Sequence, residues 1–272
     1  KLYCSSSMKP LDKFLRPATL QPVLPAMSLD CPRPTEGPGR GMTATDLKKR
    51  WSQIPYTDVV EFYGHGAKAG ERACFSNFHF HKPFEFVVPV EFCKAPLTEV
   101  ERKVECSFSE KAIMLCKAAA MDDAETYRKI ATSKDPASAK ALGRKVKGFN
   151  NAAWQKIVCS VAFEVVHQKF TKLPEADFKA HLLKTGTKIL AEATVNDANW
   201  GIGINMGHAD VQTPAKWKGT NILGWALMEA RDAIRQASQG LKANPTRSAD
   251  GEPLAKRPKS GDAGECIDIE EG

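Results

Sequence analysis

No stretch of the 272-residue sequence approaches the ~18 uncharged apolar residues that a membrane helix needs, which excludes an integral helical membrane protein. There is no collagen-like period, no internal repeat and no dinucleotide-binding G-x-G-x-x-G between a strand and a helix. The first fifty residues lack the sustained apolar core of a secretory signal. Eight cysteines are present, but none forms a C-x-x-C pair, and they are too sparse for a disulfide framework. They read as free thiols in a reducing, intracellular compartment. His79 and His81 would share one face of a strand, but no third ligand stands near them, so no metal site is expected.

What is present is an ordinary globular composition, 42% hydrophobic and 26% charged, too apolar for a wholly disordered chain. Residues 1–50 carry nine basic and four acidic side chains, 51–240 carry 25 and 21, and 241–272 carry five and seven. The middle is therefore only mildly basic, which permits an anionic ligand without demanding a nucleic acid. Proline and glycine crowd the first fifty residues, and Pro, Ser, Gly and charge crowd the end. Residues 1–54 and 241–272 thus read as disordered or weakly ordered tails around one domain at 55–240.

Within the domain, β-branched and aromatic runs at 59–63 and 84–90 predict strands, with a shorter one at 189–194. Ser107 and Glu110 match an S-x-x-E capping box before a helix over 111–120. Trp154, Ile157, Val158, Val161 and Val165 recur at helical spacing. A further helix spans 178–184 with Gly186 as its cap, and Leu223, Leu227, Ala230 and Ile234 mark the last, after Asn221. The class is α+β, a single mostly helical domain with a small sheet.

Three segments set polar or glycine residues among apolar ones. Phe75-Ser76-Asn77-Phe78 flanks an amide with two aromatics and follows a glycine-rich loop at 64–70; its bland reading is a turn with aromatic anchors. Glu110 and Lys117 are seven positions apart, close to two helical turns, and share a face with Ile113 and Met114. Capping explains Glu110, and snorkelling to solvent explains Lys117, if neither has chemistry to do. The run 196–205 brings Asn196, Asp197, Trp200, Gly201, Gly203 and Asn205 together, its glycines allowing a ligand close to the backbone.

In this order the segments resemble the NADAR family, the YbiA-like N-glycosidases. The likeness runs from Glu61 to Arg235. It adds Gly143-Arg144, Trp154, Lys169-Phe170, Asn221-x-Leu223-Gly224 and Leu227-Met228-Glu229-x-Arg231 to the segments above. Departures are Ala112 and Met114, where the family often carries an aromatic and a glutamine, and an insertion at 209–218. The resemblance implies cleavage of N-glycosidic bonds in nucleotide-like substrates: ADP-ribose on guanine in DNA, RNA or a free nucleotide, or early riboflavin intermediates.

It further implies Lys117 as an amine trapping the opened ribose as a Schiff base, with Glu110 as proton shuttle and Asp197 assisting or orienting a ribose hydroxyl. Phe75, Trp154 and Trp200 would stack on a base, with plain core as the other reading of Trp154; Arg144 would contact phosphate or else make a surface ion pair; and Ser76, Asn77, Phe78, Gly201, Gly203 and Asn205 would complete the binding site. No cofactor is called for. A module that holds ADP-ribose without cleaving it is the rival reading, disfavoured by the presence of both Glu110 and Lys117; an inert scaffold is the third. A monomer without membrane attachment is expected, cytoplasmic or nuclear. Two features of the C-terminal tail bear on partners: a basic cluster at 255–259, of the nuclear-import kind, and an aliphatic–acidic run at 266–271. That run would add a strand to a sheet edge as SUMO-binding peptides do.

Overall fold

The computed structural model describes residues 41–173 and 175–242. Helix α1 (Ala44–Trp51) opens on a capping box. The Thr43 hydroxyl accepts from the Asp46 N–H at 3.2 Å and the Asp46 carboxylate accepts from the Thr43 N–H at 3.1 Å, satisfying donors that a helix start leaves open. This helix lies inside the segment expected as an N-terminal tail, yet its Leu47 and Trp51 are buried. The folded unit therefore starts before residue 55. Trp51 donates its indole N–H to Thr220 O at 2.7 Å and packs 5.4 Å from the Trp217 ring, tying α1 to the insertion at 209–218. The two signals at 255–259 and 266–271 lie outside the described residues.

Strand β1 (Val59–Phe62) pairs in parallel with β4 (Ile189–Glu192), Val59 opposite Ile189 and Phe62 opposite Glu192. β2 (Phe84–Val87) pairs antiparallel with β3 (Lys103–Cys106). The expected small sheet is thus two separate ribbons among the described residues. The run at 84–90 does not stay extended: Pro89 has no N–H for a ladder, and Val90–Phe92 turns as a 3-10 helix. His79 and His81 fall in the loop before β2 rather than on a strand.

The helices are α2 (Ser109–Ala120), α3 (Ala124–Ala131), α4 (Pro136–Gly143), α5 (Asn151–Lys172), α6 (Ala176–Lys184) and α7 (Ile222–Lys242). α5 is apolar on nearly every side, from Trp154 through Val158, Val161 and Val165 to Phe170, as a helix through the middle of a core must be. α2, α7 and β2 pack around it, and α7 also covers β4. α6 ends at Thr185 with Gly186 at φ +63°, the left-handed position that glycine fills at helix ends. The five described cysteines, Cys74, Cys93, Cys106, Cys116 and Cys159, are free thiols. The architecture is α+β, dominated by helices.

Two consequences position the site. Parallel pairing sets the C-terminal residues Phe62 and Glu192 side by side. The first turn of α2 is then fastened to the loop ahead of β2, because the Glu110 N–H donates to Asn77 O at 2.9 Å.

Candidate active site

A cavity of about 1120 Å³ opens where these ends meet. One wall is the loop from Tyr63 to Ala69 with Glu71 and Arg72; Ser76, Asn77 and Phe78 continue it. Glu110 and Met114 of α2, Lys140 of α4 and Glu192 at the end of β4 form a second side. Thr194, Asn196, Asp197, Asn199 and Trp200 close the remainder.

Glu110 does not cap its helix. α2 starts at Ser109 with Phe108 in the capping position and no side-chain cap bond, so Ser107 and Glu110 form no box. The carboxyl group is instead buried, and desolvation lifts its pKa to about 7, with the Asp197 charge adding to the rise and Lys140, Arg144 and Lys117 opposing it. The helix dipole favours the anion at this position, but loss of water outweighs it. Glu192, unnoticed in the sequence, reaches the same state. Desolvation raises it to about 7, Asp197 and Glu110 push it further up, and Lys140 pulls it down. Two carboxyl groups poised near neutrality in one cavity are an acid–base arrangement.

Asn221 fixes Glu192. At φ +53° and fully buried, it accepts from the Glu192 N–H through Oδ1 at 3.2 Å and donates from Nδ2 to Leu190 O at 2.8 Å. One amide side chain thereby does what a third strand would do beside β4. Asp197 has two duties. Its Oδ1 accepts from the N–H groups of Asn199 and Trp200 at 3.1 and 2.9 Å, an Asx turn that sets the Trp200 loop, while Oδ2 stands 3.9 Å from Lys140 Nζ. Lys140 also lies 5.3 Å from the Phe78 ring.

Lys169 is wholly buried on α5, with its pKa brought down to about 8 by desolvation. It donates to Cys74 O at 2.7 Å and Ser76 O at 3.3 Å, and so pins the turn that presents Ser76 and Asn77 to the cavity.

Of the residues expected at the site, Ser76, Asn77, Phe78, Glu110, Asp197 and Trp200 come together on the cavity wall. Lys117 stands behind it. Its Nζ donates to Gly143 O at 2.8 Å and lies 4.1 Å from the Phe149 ring. Half-buried, it has its pKa lowered by desolvation, against a raising influence from Glu110. Met114, one turn earlier on the same face, holds the cavity side and packs into the gap left by Gly143, where a Cβ would collide with it. Trp154 is core, and Phe75 is buried between Phe62 and Phe170 at centroid distances of 5.5 and 6.3 Å. Arg144 is exposed at the end of α4. Gly201 and Gly203 serve chain packing: a Cβ on Gly201 would fall 2.6 Å from Glu192 O, and one on Gly203, at φ +69°, 2.9 Å from the Lys218 Cβ. Asn205 caps the loop, its Oδ1 accepting from the Val195 N–H at 3.1 Å.

The NADAR domain profile matches residues 61–235. An N-glycosidase of Acanthamoeba polyphaga mimivirus is 34% identical over 136 residues, 50% of this chain and 79% of that protein. The protein irg-1 of Caenorhabditis elegans is 29% identical over 167 residues, 60% of this chain and 77% of its own length. The N-glycosidase YbiA of Escherichia coli is 33% identical over 111 residues, 40% of this chain and 61% of YbiA. The NMR structure of Escherichia coli YbiA superposes with a TM-score of 0.49 at 23% identity, covering 78% of this chain and 100% of YbiA. The chain belongs to the NADAR family, and its enzymatic class is that of a hydrolase acting on N-glycosyl bonds.

Proposed function

We propose that this N-glycosidase hydrolyses the bond between ADP-ribose and a guanine base carried in nucleic acid. The observation that supports this best is the pair Glu110 and Glu192, both near neutrality in the wall of one cavity that is also lined by the aromatic residues Phe78 and Trp200. At about 1120 Å³ the cavity exceeds the ~300–1,000 Å³ usual for small ligands. It has room for ADP-ribose together with the base.

As the glycosidic C–N bond stretches, positive charge builds on the sugar carbon and negative charge on the leaving nitrogen. A carboxyl group with a pKa of about 7 is present in both protonation states at neutral pH, so the pair can hold one proton between them. Protonated Glu110 gives its proton to the departing guanine nitrogen. Anionic Glu192, with Asp197, stabilises the carbon and takes a proton from the water that adds there.

In the covalent form of this reaction the sugar ring opens and the neutral Lys117 amine adds to the sugar carbon. Guanine departs with a proton, and water splits the resulting imine to restore the amine and release ADP-ribose. Desolvation favours the neutral amine. The step requires Lys117 to leave Gly143 O and the Met114 side chain to turn aside.

The test is turnover on two substrates, guanine-linked ADP-ribose on DNA and early riboflavin intermediates. Release of ADP-ribose supports the reading. Cleavage of the flavin precursors alone transfers the same chemistry to them, and binding of ADP-ribose without cleavage reduces the domain to a binding module.

A further inference from the structure

A second, smaller cavity of about 260 Å³ adjoins the first, and Glu71 and Arg72 line both. Its other polar walls are His181 and Lys184 of α6, Thr185 at the end of that helix and Lys188 in the turn before β4; Val60 and Phe75 contribute apolar surface. Four basic side chains from three separate elements therefore meet around one depression, and a single carboxylate, Glu71, lies among them.

The ion pairs there do not neutralise it. Glu71 is shared between Lys184 at 3.2 Å and His181 at 3.9 Å, and Lys188 lies 2.9 Å from Asp58. The two lysines and their carboxylate partners are each more than half exposed, so these pairs are weak and the ammonium groups can turn toward an incoming anion. Arg72 is held in place on the boundary, its Nη1 donating to Glu61 O at 2.8 Å. His181 Nδ1 is buried with no hydrogen-bond partner among the described residues.

We propose that this second cavity is a subsite for a backbone phosphate of a polynucleotide strand whose modified base occupies the first cavity. The inference rests on the N-glycosidase reading and sharpens its substrate class. The first cavity has room for ADP-ribose with its base. The second is useful to a ligand that continues past them, as a strand does with a phosphodiester at every residue. A phosphodiester is a monoanion with oxygen acceptors only, which suits lysine, arginine and an imidazole N–H.

The test uses the full chain and the double variant Lys184→Gln/Lys188→Gln. Binding of a fluorescent, unmodified single-stranded DNA is titrated between low and moderate salt, alongside turnover of an ADP-ribosylated oligonucleotide and of ADP-ribosyl-guanosine. Removing two phosphate contacts should weaken DNA binding about tenfold and flatten the plot of log K against log salt by about 1.4. KM for the oligonucleotide should rise similarly, with kcat/KM for the nucleoside unchanged. Unchanged DNA affinity and salt slope in a variant with wild-type melting would overturn the subsite. Equal loss on the nucleoside would also overturn it, assigning the cavity to the diphosphate of ADP-ribose. DNA binding needs no turnover, so lysine-dependent binding by an enzyme that cleaves neither substrate would refute the guanine reading and leave the subsite standing.

Discussion

Replacing Glu110 with glutamine should make the protein more stable at alkaline pH and a far slower enzyme at any pH. The buried carboxyl group has a pKa of about 7 against 4.5 in an unfolded chain. Between those values the folded state holds a proton that the unfolded state has lost, so folding stability falls as pH rises, and the loss is complete above the folded value. At about 1.4 kcal/mol per pKa unit, Glu110 alone costs on the order of 3 kcal/mol at pH 8 and little near pH 4.5. Glu110→Gln keeps the shape and removes the charge. Its unfolding free energy should lie within about 1 kcal/mol of wild type at pH 5 and exceed it by about 3 kcal/mol at pH 8, while kcat falls by about 10²–10⁴ with loss of the proton donor. Urea unfolding of both proteins at the two pH values measures the first effect, and turnover the second. Wild-type stability that is flat from pH 5 to 8, with no gain in the variant, would mean that the carboxylate is solvated and that the acid–base argument fails.

Lys117→Ala should retain ligand binding and lose turnover, and borohydride added during reaction should modify wild type but not the variant; full activity in Lys117→Ala would exclude the imine step. Lys169→Met strips the donor from the Cys74 and Ser76 carbonyls. Each unsatisfied buried carbonyl costs about 1–3 kcal/mol, partly offset by removal of a buried charge. A modest drop in melting temperature with a raised KM is expected, and unchanged kinetics would refute the role assigned to that turn. Asn221→Ala should destabilise the fold by about 2 kcal/mol through two lost hydrogen bonds and should lower kcat beyond any change in KM, because Glu192 loses its anchor. Wild-type kcat in the folded variant would count against Glu192 as a catalytic group.

The long elements were legible because burial writes itself into spacing. α5 is marked by Trp154, Val158, Val161 and Val165, and α7 by Leu223, Leu227, Ala230 and Ile234, all buried. The short helices hide for the converse reason. In α3, Tyr127 and Ile130 are the fully buried large side chains, and α4 buries only Pro136, Ala139 and Gly143, so neither has a stripe to detect. Their signals were the caps: Asp123 and Asp135 each accept an N–H three residues on, and Pro136 follows Asp135 at the first helical position. α1 carried Thr43 and Asp46 ahead of Leu47, a start signal masked by the prolines before it.

The site was half legible, and the missing half follows from topology. Ser76, Asn77, Asp197 and Trp200 stand out as polar residues and turn formers crowded among apolar ones. Glu192 is one acid after Ile189, Leu190 and Ala191, and nothing local separates it from a strand end meeting solvent. It becomes chemical because β4 pairs in parallel with β1, which carries its carboxylate to the cavity and into range of Glu110 and Asp197. Lys140 likewise reads as the polar face of a short helix until α4 packs against α2. The error over Glu110 has the same root. Three-residue spacing cannot tell a capping glutamate from one inside the first turn, since the difference lies in whether the helix starts at Ser109 or one residue earlier. With the cap removed as an explanation, a buried carboxylate at the mouth of α2 carries an uncompensated desolvation cost. Lys140 is the strongest of the cations that lower its pKa, and the net shift is nevertheless upward. That surplus is what the stability measurement at pH 5 and 8 reads directly.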